Sequence, residues 1–170
     1  MRYFLKTFLA AAIAALLYSC DTGDSSSGNS CKVRIGNETF KTEGAFAFWW
    51  ISSDDSGRPW SNYEIILLPC ASFDGYDDAE WDFYFDLYFD EALTEIPTGT
   101  FRLGEELDEA SFSFYVYDGD DYDSYDSIAV DGVLEISSRR SGYSITFNGT
   151  AEDGTSMSAT WSGPVSLSPM

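Results

Sequence analysis

The run Trp81-Asp82-Phe83-Tyr84-Phe85-Asp86-Leu87-Tyr88-Phe89-Asp90 alternates without a break. Trp81, Phe83, Phe85, Leu87 and Phe89 share one phase; Asp82, Tyr84, Asp86, Tyr88 and Asp90 share the other. A side-chain period of two sends successive residues to opposite faces of an extended chain, so the segment predicts a half-buried β-strand and excludes an amphipathic helix. The pattern recurs at Phe112, Phe114 and Val116, at Tyr143, Ile145 and Phe147, and at Met157, Ala159, Trp161, Val165 and Leu167. Residues 45–51 and 65–68 are apolar in both phases and predict strands buried on both faces. Ile128, Val130, Leu134 and Ile136 stay in phase across Gly132, which reads as a kink or bulge at Asp131-Gly132 rather than a turn. Asp153-Gly154 and, less strongly, Gly36-Asn37 mark hairpins.

Eight to ten such strands predict an all-β domain. We expect an antiparallel meander closed as a calycin-like barrel, with a β-sandwich as the alternative. A membrane-spanning β-barrel shares the alternation, but its aromatics gather in girdles at the two interfaces, whereas here they run through mid-strand.

The amino terminus has a different character. Arg2 and Lys6 precede a ten-residue apolar run from Phe8 to Leu17. That is too short for a membrane span of about 20 residues and has the layout of a cleaved secretory signal, a helix expected only in the precursor. Leu17-Tyr18-Ser19-Cys20 resembles the lipobox of bacterial lipoproteins. The resemblance implies cleavage before Cys20 and acylation there (diacylglyceryl on sulfur, an acyl chain such as palmitate on nitrogen). Stable anchoring needs two or more chains, which this arrangement supplies. The expected organisation is therefore a signal peptide over 1–19, a lipidated flexible tether over 20–30 and one all-β domain over 31–170. Asp21 to Ser30 holds no apolar residue and would keep the domain on the order of 17 Å from the bilayer.

Loss of Arg2 and Lys6 leaves 29 acidic against seven basic residues, a net charge of −22. Such a chain cannot neutralise phosphates, which excludes nucleic-acid binding and leaves the lipid as the expected contact with membrane. The sequence contains no histidine. Ser-His-Asp and Cys-His nucleophile systems, and the usual zinc and copper sites, are thereby excluded. A carboxylate pair could still hydrolyse a glycosidic bond, but close pairs arise by chance among 29 acids.

Several residues are candidates for binding. Asp118, Asp120, Asp121, Asp123 and Asp126 could supply oxygens to calcium, although the glycine and glutamate of an EF-hand are missing. Asp74, Asp77, Asp78 and Glu80 form a second acidic segment. The two segments leave opposite ends of an up-and-down chain if residues 100–103 form a strand of their own, and the same end otherwise. Solvated hairpin loops that hold no cofactor are the simpler expectation for both. Trp60 and Tyr63 lie in "SSDDSGRPWSNYE", which reads as a polar loop, and could grip a sugar; alternatively Trp60 folds back as a lid. Cys31 and Cys70 could form a disulfide in an oxidising compartment or remain buried thiols. Asp126-Ser127-Ile128 resembles a bacterial O-glycosylation acceptor with Ser127 as the modified residue.

"KVRIGNETFKT", "PTGTFRLG" and "GYSITFNGTAEDGTSMSATWSGPV" give the chain beyond Lys32 a resemblance to the small uncharacterised surface lipoproteins of Bacteroidota. The resemblance implies an all-β domain at the cell envelope, on the outer membrane rather than the inner. Asp21 and Asp24 are compatible with the acidic residues that accompany surface export in that group. It carries no catalytic residues. The expected function is non-enzymatic binding of a glycan, small molecule or protein through loops. The alternatives are a structural, fimbria-like assembly component and a carboxylate-dependent glycoside hydrolase.

Overall fold

The computed structural model describes residues 31–73, 79–103, 111–116 and 127–169. They form eleven strands: β1 (Lys32–Ile35), β2 (Glu38–Lys41), β3 (Gly44–Ser53), β4 (Pro59–Leu68), β5 (Trp81–Phe89), β6 (Gly99–Arg102), β7 (Ser111–Val116), β8 (Ser127–Arg139), β9 (Gly142–Ala151), β10 (Ser156–Gly163) and β11 (Ser166–Pro169). No helix among the described residues is long and apolar enough to cross a membrane.

The strands make one curled sheet in the order β11-β3-β4-β5-β7-β8-β9-β10-β1-β2, with β6 against β8 to one side. The result is an all-β half-barrel. The antiparallel meander holds through the middle of the sheet but not at its ends, where β11 lies parallel to β3 and β1 pairs with β10. The chain itself brings those ends together. Thr42-Glu43 carries β2 into β3, with Thr42 N–H donating to the Cys31 carbonyl (3.2 Å) and Glu43 N–H to that of Leu68 (2.9 Å). Pro164-Val165 carries β10 into β11.

Local chemistry sets the turns. Between β9 and β10, Ala151 and Thr155 close a loop in which Gly154 N–H donates to the Ala151 carbonyl (2.9 Å) and the Asp153 carboxylate accepts from Thr155 N–H (2.8 Å). Gly154 takes φ +86°, the left-handed conformation such a hairpin requires. Between β3 and β4, the Asp54 carboxylate gathers the N–H groups of Ser56 (2.8 Å) and Arg58 (2.9 Å). The Ser56 hydroxyl also donates to it (2.6 Å), and this bond first, then that from Arg58 N–H, holds its pKa below the ordinary carboxylate value.

Aromatic rings fill the concave side. Phe83, Phe85 and Phe112 on β5 and β7 meet Phe147 of β9 at centroid distances of 5.6, 5.8 and 5.0 Å. Phe40 of the edge strand β2 reaches Phe114 (4.7 Å) and Trp81 (5.7 Å), joining the far end of the sheet to its middle. Each fully buried ring contributes about 1.5–3 kcal/mol of transfer free energy. Gly132 and Gly149 face each other across β8 and β9, and a side chain on either would run into the Phe147 ring.

Three expectations need correction. The bulge in β8 falls between Ala129 and Asp131, one step earlier than its sequence suggests. The extra residue reverses the phase, so Leu134 and Ile136 are buried while Ile128 and Val130 stand 50% and 59% exposed. The loop reading of residues 52–64 fails after Arg58, because Pro59 opens β4. Residues 99–102 do form a strand, but it pairs with β8 and does not separate β5 from β7. Trp81 and Val116 are therefore partners, and the strand ends that border the two acidic segments lie side by side.

Candidate binding face on the outer sheet

The convex side of β3, β4 and β5 is not uniformly polar. At one end Phe46, Ile66, Leu68 and Ala79 form a second, smaller apolar cluster, with Phe48, Cys70 and Tyr84 against it. Phe73 covers part of it, 5.3 Å from Phe46 and 4.8 Å from Phe48. The apolar reading of residues 65–68 in both phases is thereby accounted for: Ile65 and Leu67 enter the main core, Ile66 and Leu68 the second cluster.

Farther along the same face the composition changes. The register places Phe48 beside Glu64 and Glu64 beside Asp86, then Trp50 beside Asn62 and Asn62 beside Tyr88, then Ser52 beside Trp60. Directly paired side chains in an antiparallel sheet stand roughly 5 Å apart at Cβ. Two carboxylates and an amide thus share a patch bordered by Phe48, Trp50, Trp60 and Tyr88. The Trp60 and Tyr88 rings lie 6.2 Å apart at 36°.

Asn62 is the centre of this patch. It is 0% exposed, although Trp50, Trp60, Glu64, Asp86 and Tyr88 around it are half-exposed. Its Nδ2 donates to Asp86 Oδ1 at 2.8 Å, and its Oδ1 is buried without a hydrogen-bond partner. Burial first, and then the charge of Glu64, push the Asp86 carboxyl above its ordinary value, against the stabilising bond from Asn62. Burial and the Asp86 charge likewise raise the Tyr88 phenol. No cation compensates the pair: among the described residues the ion pairs are Lys41–Glu43 and Arg58–Asp54.

Of the residues singled out from sequence, Trp60 belongs to this face, on a strand and half-buried. Tyr63 does not. It points to the opposite side, 0% exposed, with its ring stacked 6.4 Å from Trp49 and its hydroxyl unpartnered. Burial pushes its pKa up to about 12. An odd separation on one strand sends two residues to opposite faces, so Trp60 and Tyr63 cannot act together. Ser127, at the start of β8, is 5% exposed. Asp118, Asp120, Asp121, Asp123, Asp126, Asp74, Asp77, Asp78 and Cys20 lie outside the described residues, and Glu80 is exposed. Among the described residues no three acidic or thiol side chains gather as metal ligands.

Cys31 and Cys70 do not pair. Cys70 carries a free thiol, raised in pKa by burial, that donates to the Ser72 carbonyl at 3.3 Å. The Cys31 sulfur accepts from Ser162 N–H at 3.3 Å, which ties the residue before β1 to β10.

Trp50, Asn62, Glu64, Asp86 and Tyr88 were not singled out by sequence reasoning, although a signal existed. Trp60, Asn62 and Glu64 share a phase, as do Asp86 and Tyr88; only the register between β4 and β5 unites them. No protein-family model matches the chain, and neither a search of curated proteins nor one of solved structures finds a match.

Proposed function

We propose that this protein is a non-enzymatic, lipid-anchored binding domain of the cell envelope. Its ligand would sit on the outer face of β3, β4 and β5 rather than on loops. The observation that carries the reading is Asn62: a fully buried amide whose buried acceptor lacks a partner, beneath half-exposed aromatic and acidic side chains. Buried polar atoms are ordinarily satisfied, and each lapse calls for an explanation such as a ligand. Glu64 and Asp86 stand side by side on one face rather than opposed across a cleft, which favours binding over the two-carboxylate hydrolysis of a glycoside. The free edges favour it over assembly by strand addition. Each edge strand spans four residues, β2 carries Lys41 and β11 includes Pro169, features that protect an edge from pairing.

The envelope address rests on Cys20. Thioether acylation and a disulfide to Cys31 would use the same sulfur, so the two fates exclude each other. The outward side chains of β8 and β9 include Glu135, Ser137, Thr146 and Asn148, which suits a domain in water rather than a barrel facing lipid. The test is a ligand screen of the full chain, read by melting temperature and tryptophan fluorescence. A glycan or small molecule should raise the melting temperature of the wild type, and Trp60→Ala and Trp50→Ala should abolish that response. Ligand effects that survive both substitutions would move the site elsewhere.

A further inference from the structure

We propose that the face around Asn62 takes an organic cation, an alkylammonium group carried by a small molecule or a larger ligand. The inference rests on reading this face as a binding surface and names what it binds.

Hydrogen-bond accounting comes first. Asn62 Oδ1 is an acceptor without a donor, and ionised Glu64 and Asp86 can only accept. The donor side of the patch holds the Asn62 amide and the Tyr88 hydroxyl, both already given to Asp86. An ammonium group supplies up to three donors and no acceptor; a fully methylated one keeps the charge and donates only through a substituent, as the hydroxyl of choline does.

Charge gives the same answer. Two adjacent half-buried carboxylates repel each other, and among the described residues no lysine or arginine forms an ion pair with either. A neutral sugar would leave that repulsion in place, whereas a monocation offsets it. The surrounding rings suit the same ligand, because the faces of Trp50, Trp60 and Tyr88 attract cations through their quadrupoles. A metal ion fits less well. Among the described residues no three acidic or thiol side chains gather as ligands, and the patch adds to its two carboxylates only an amide carbonyl and a phenol. The net charge of −20 over the whole chain would draw cations toward the domain from a distance.

The test uses the full chain in detergent with three probes: choline, its neutral isostere 3,3-dimethyl-1-butanol, and a neutral tetrasaccharide. Choline should quench tryptophan fluorescence and raise the melting temperature, with an affinity that weakens as sodium chloride is added. The isostere should bind about tenfold more weakly or worse. The double substitution Glu64→Gln with Asp86→Asn should erase the preference for choline while the unliganded melting temperature is retained. If the isostere binds as well as choline, or if the double variant keeps its preference, the cation assignment is wrong. If the tetrasaccharide binds through Trp60 and choline does not, the assignment fails while the binding face stands. If none of the three binds and Trp60→Ala changes no response, both readings fail.

Discussion

Asn62 and Asp86 are joined across β4 and β5 by a 2.8 Å hydrogen bond from an amide with no exposure to water. The bond fixes the orientation of the amide, since reversing it would point a carbonyl at a carboxylate. Its other end therefore keeps an acceptor without a donor.

Asp86 titrates above the ordinary 3.8, chiefly through burial, with Glu64 adding repulsion. Between that ordinary value and the raised one, the folded protein holds more proton than the unfolded chain. Stability therefore falls as pH rises through this window, and the deficit persists at neutral pH. Asp86→Asn removes the charge and still accepts from Asn62. Its melting temperature at pH 7 should equal or exceed that of the wild type, and any advantage should vanish near pH 3. A clear loss of stability at pH 7 would contradict this account.

The Gly132–Gly149 pair predicts a second result. Gly132→Ala should cost about 1–3 kcal/mol, because the added methyl meets the Phe147 ring. Phe147→Ala alone should cost about 3–5 kcal/mol. Urea midpoints of the double variant should fall short of the sum, since the methyl then occupies space the ring has left. Strict additivity would show that the ring and the glycine do not interact.

Tyr63 lies in the core with its hydroxyl unpaired. Tyr63→Phe deletes that hydroxyl and keeps the ring on Trp49, so stability should hold or improve by up to about 1 kcal/mol. Ligand responses should be unchanged. A ligand-specific loss in this variant would restore Tyr63 to the site.

Intact mass and a thiol count under denaturing, non-reducing conditions decide the fate of Cys20. Acylation predicts a lipid-sized mass increase with both Cys31 and Cys70 reactive once unfolded. A chain with no added lipid and only Cys70 reactive would mean that Cys20 and Cys31 are bonded to each other, and the envelope anchor would have to be given up.

Much of the fold was legible because strand β5 alternates so regularly; its inner residues are as the sequence reads, although Asp82 in the outer phase is 1% exposed. The site was only half legible. Asp54 folds residues 54–58 into a tight turn, so β4 begins at Pro59 and sets the phase of Trp60, Asn62 and Glu64. From sequence, the serines, Gly57 and Pro59 read as a longer loop. Strand β11 was missed for a different reason. Val165 and Leu167 continue the phase of β10, but Gly163-Pro164 ends that strand and the chain crosses to β3. Nothing local in a four-residue segment encodes a parallel partner more than a hundred positions away. Cross-strand register, the relation that makes the Asn62 patch, is likewise a property of the folded sheet.

The crossing at Pro164-Val165 bears on how the chain comes to fold. Lys32 pairs with Thr160, and Ser166 with Phe46, so β10 completes the ladder of β1 and β11 that of β3. Contacts of such long range are formed late and slowly. A ribosome or a translocation channel still holding the final residues would hold back both ladders at once. Truncation after Gly163 should therefore leave β3 with an open edge and the protein prone to aggregate.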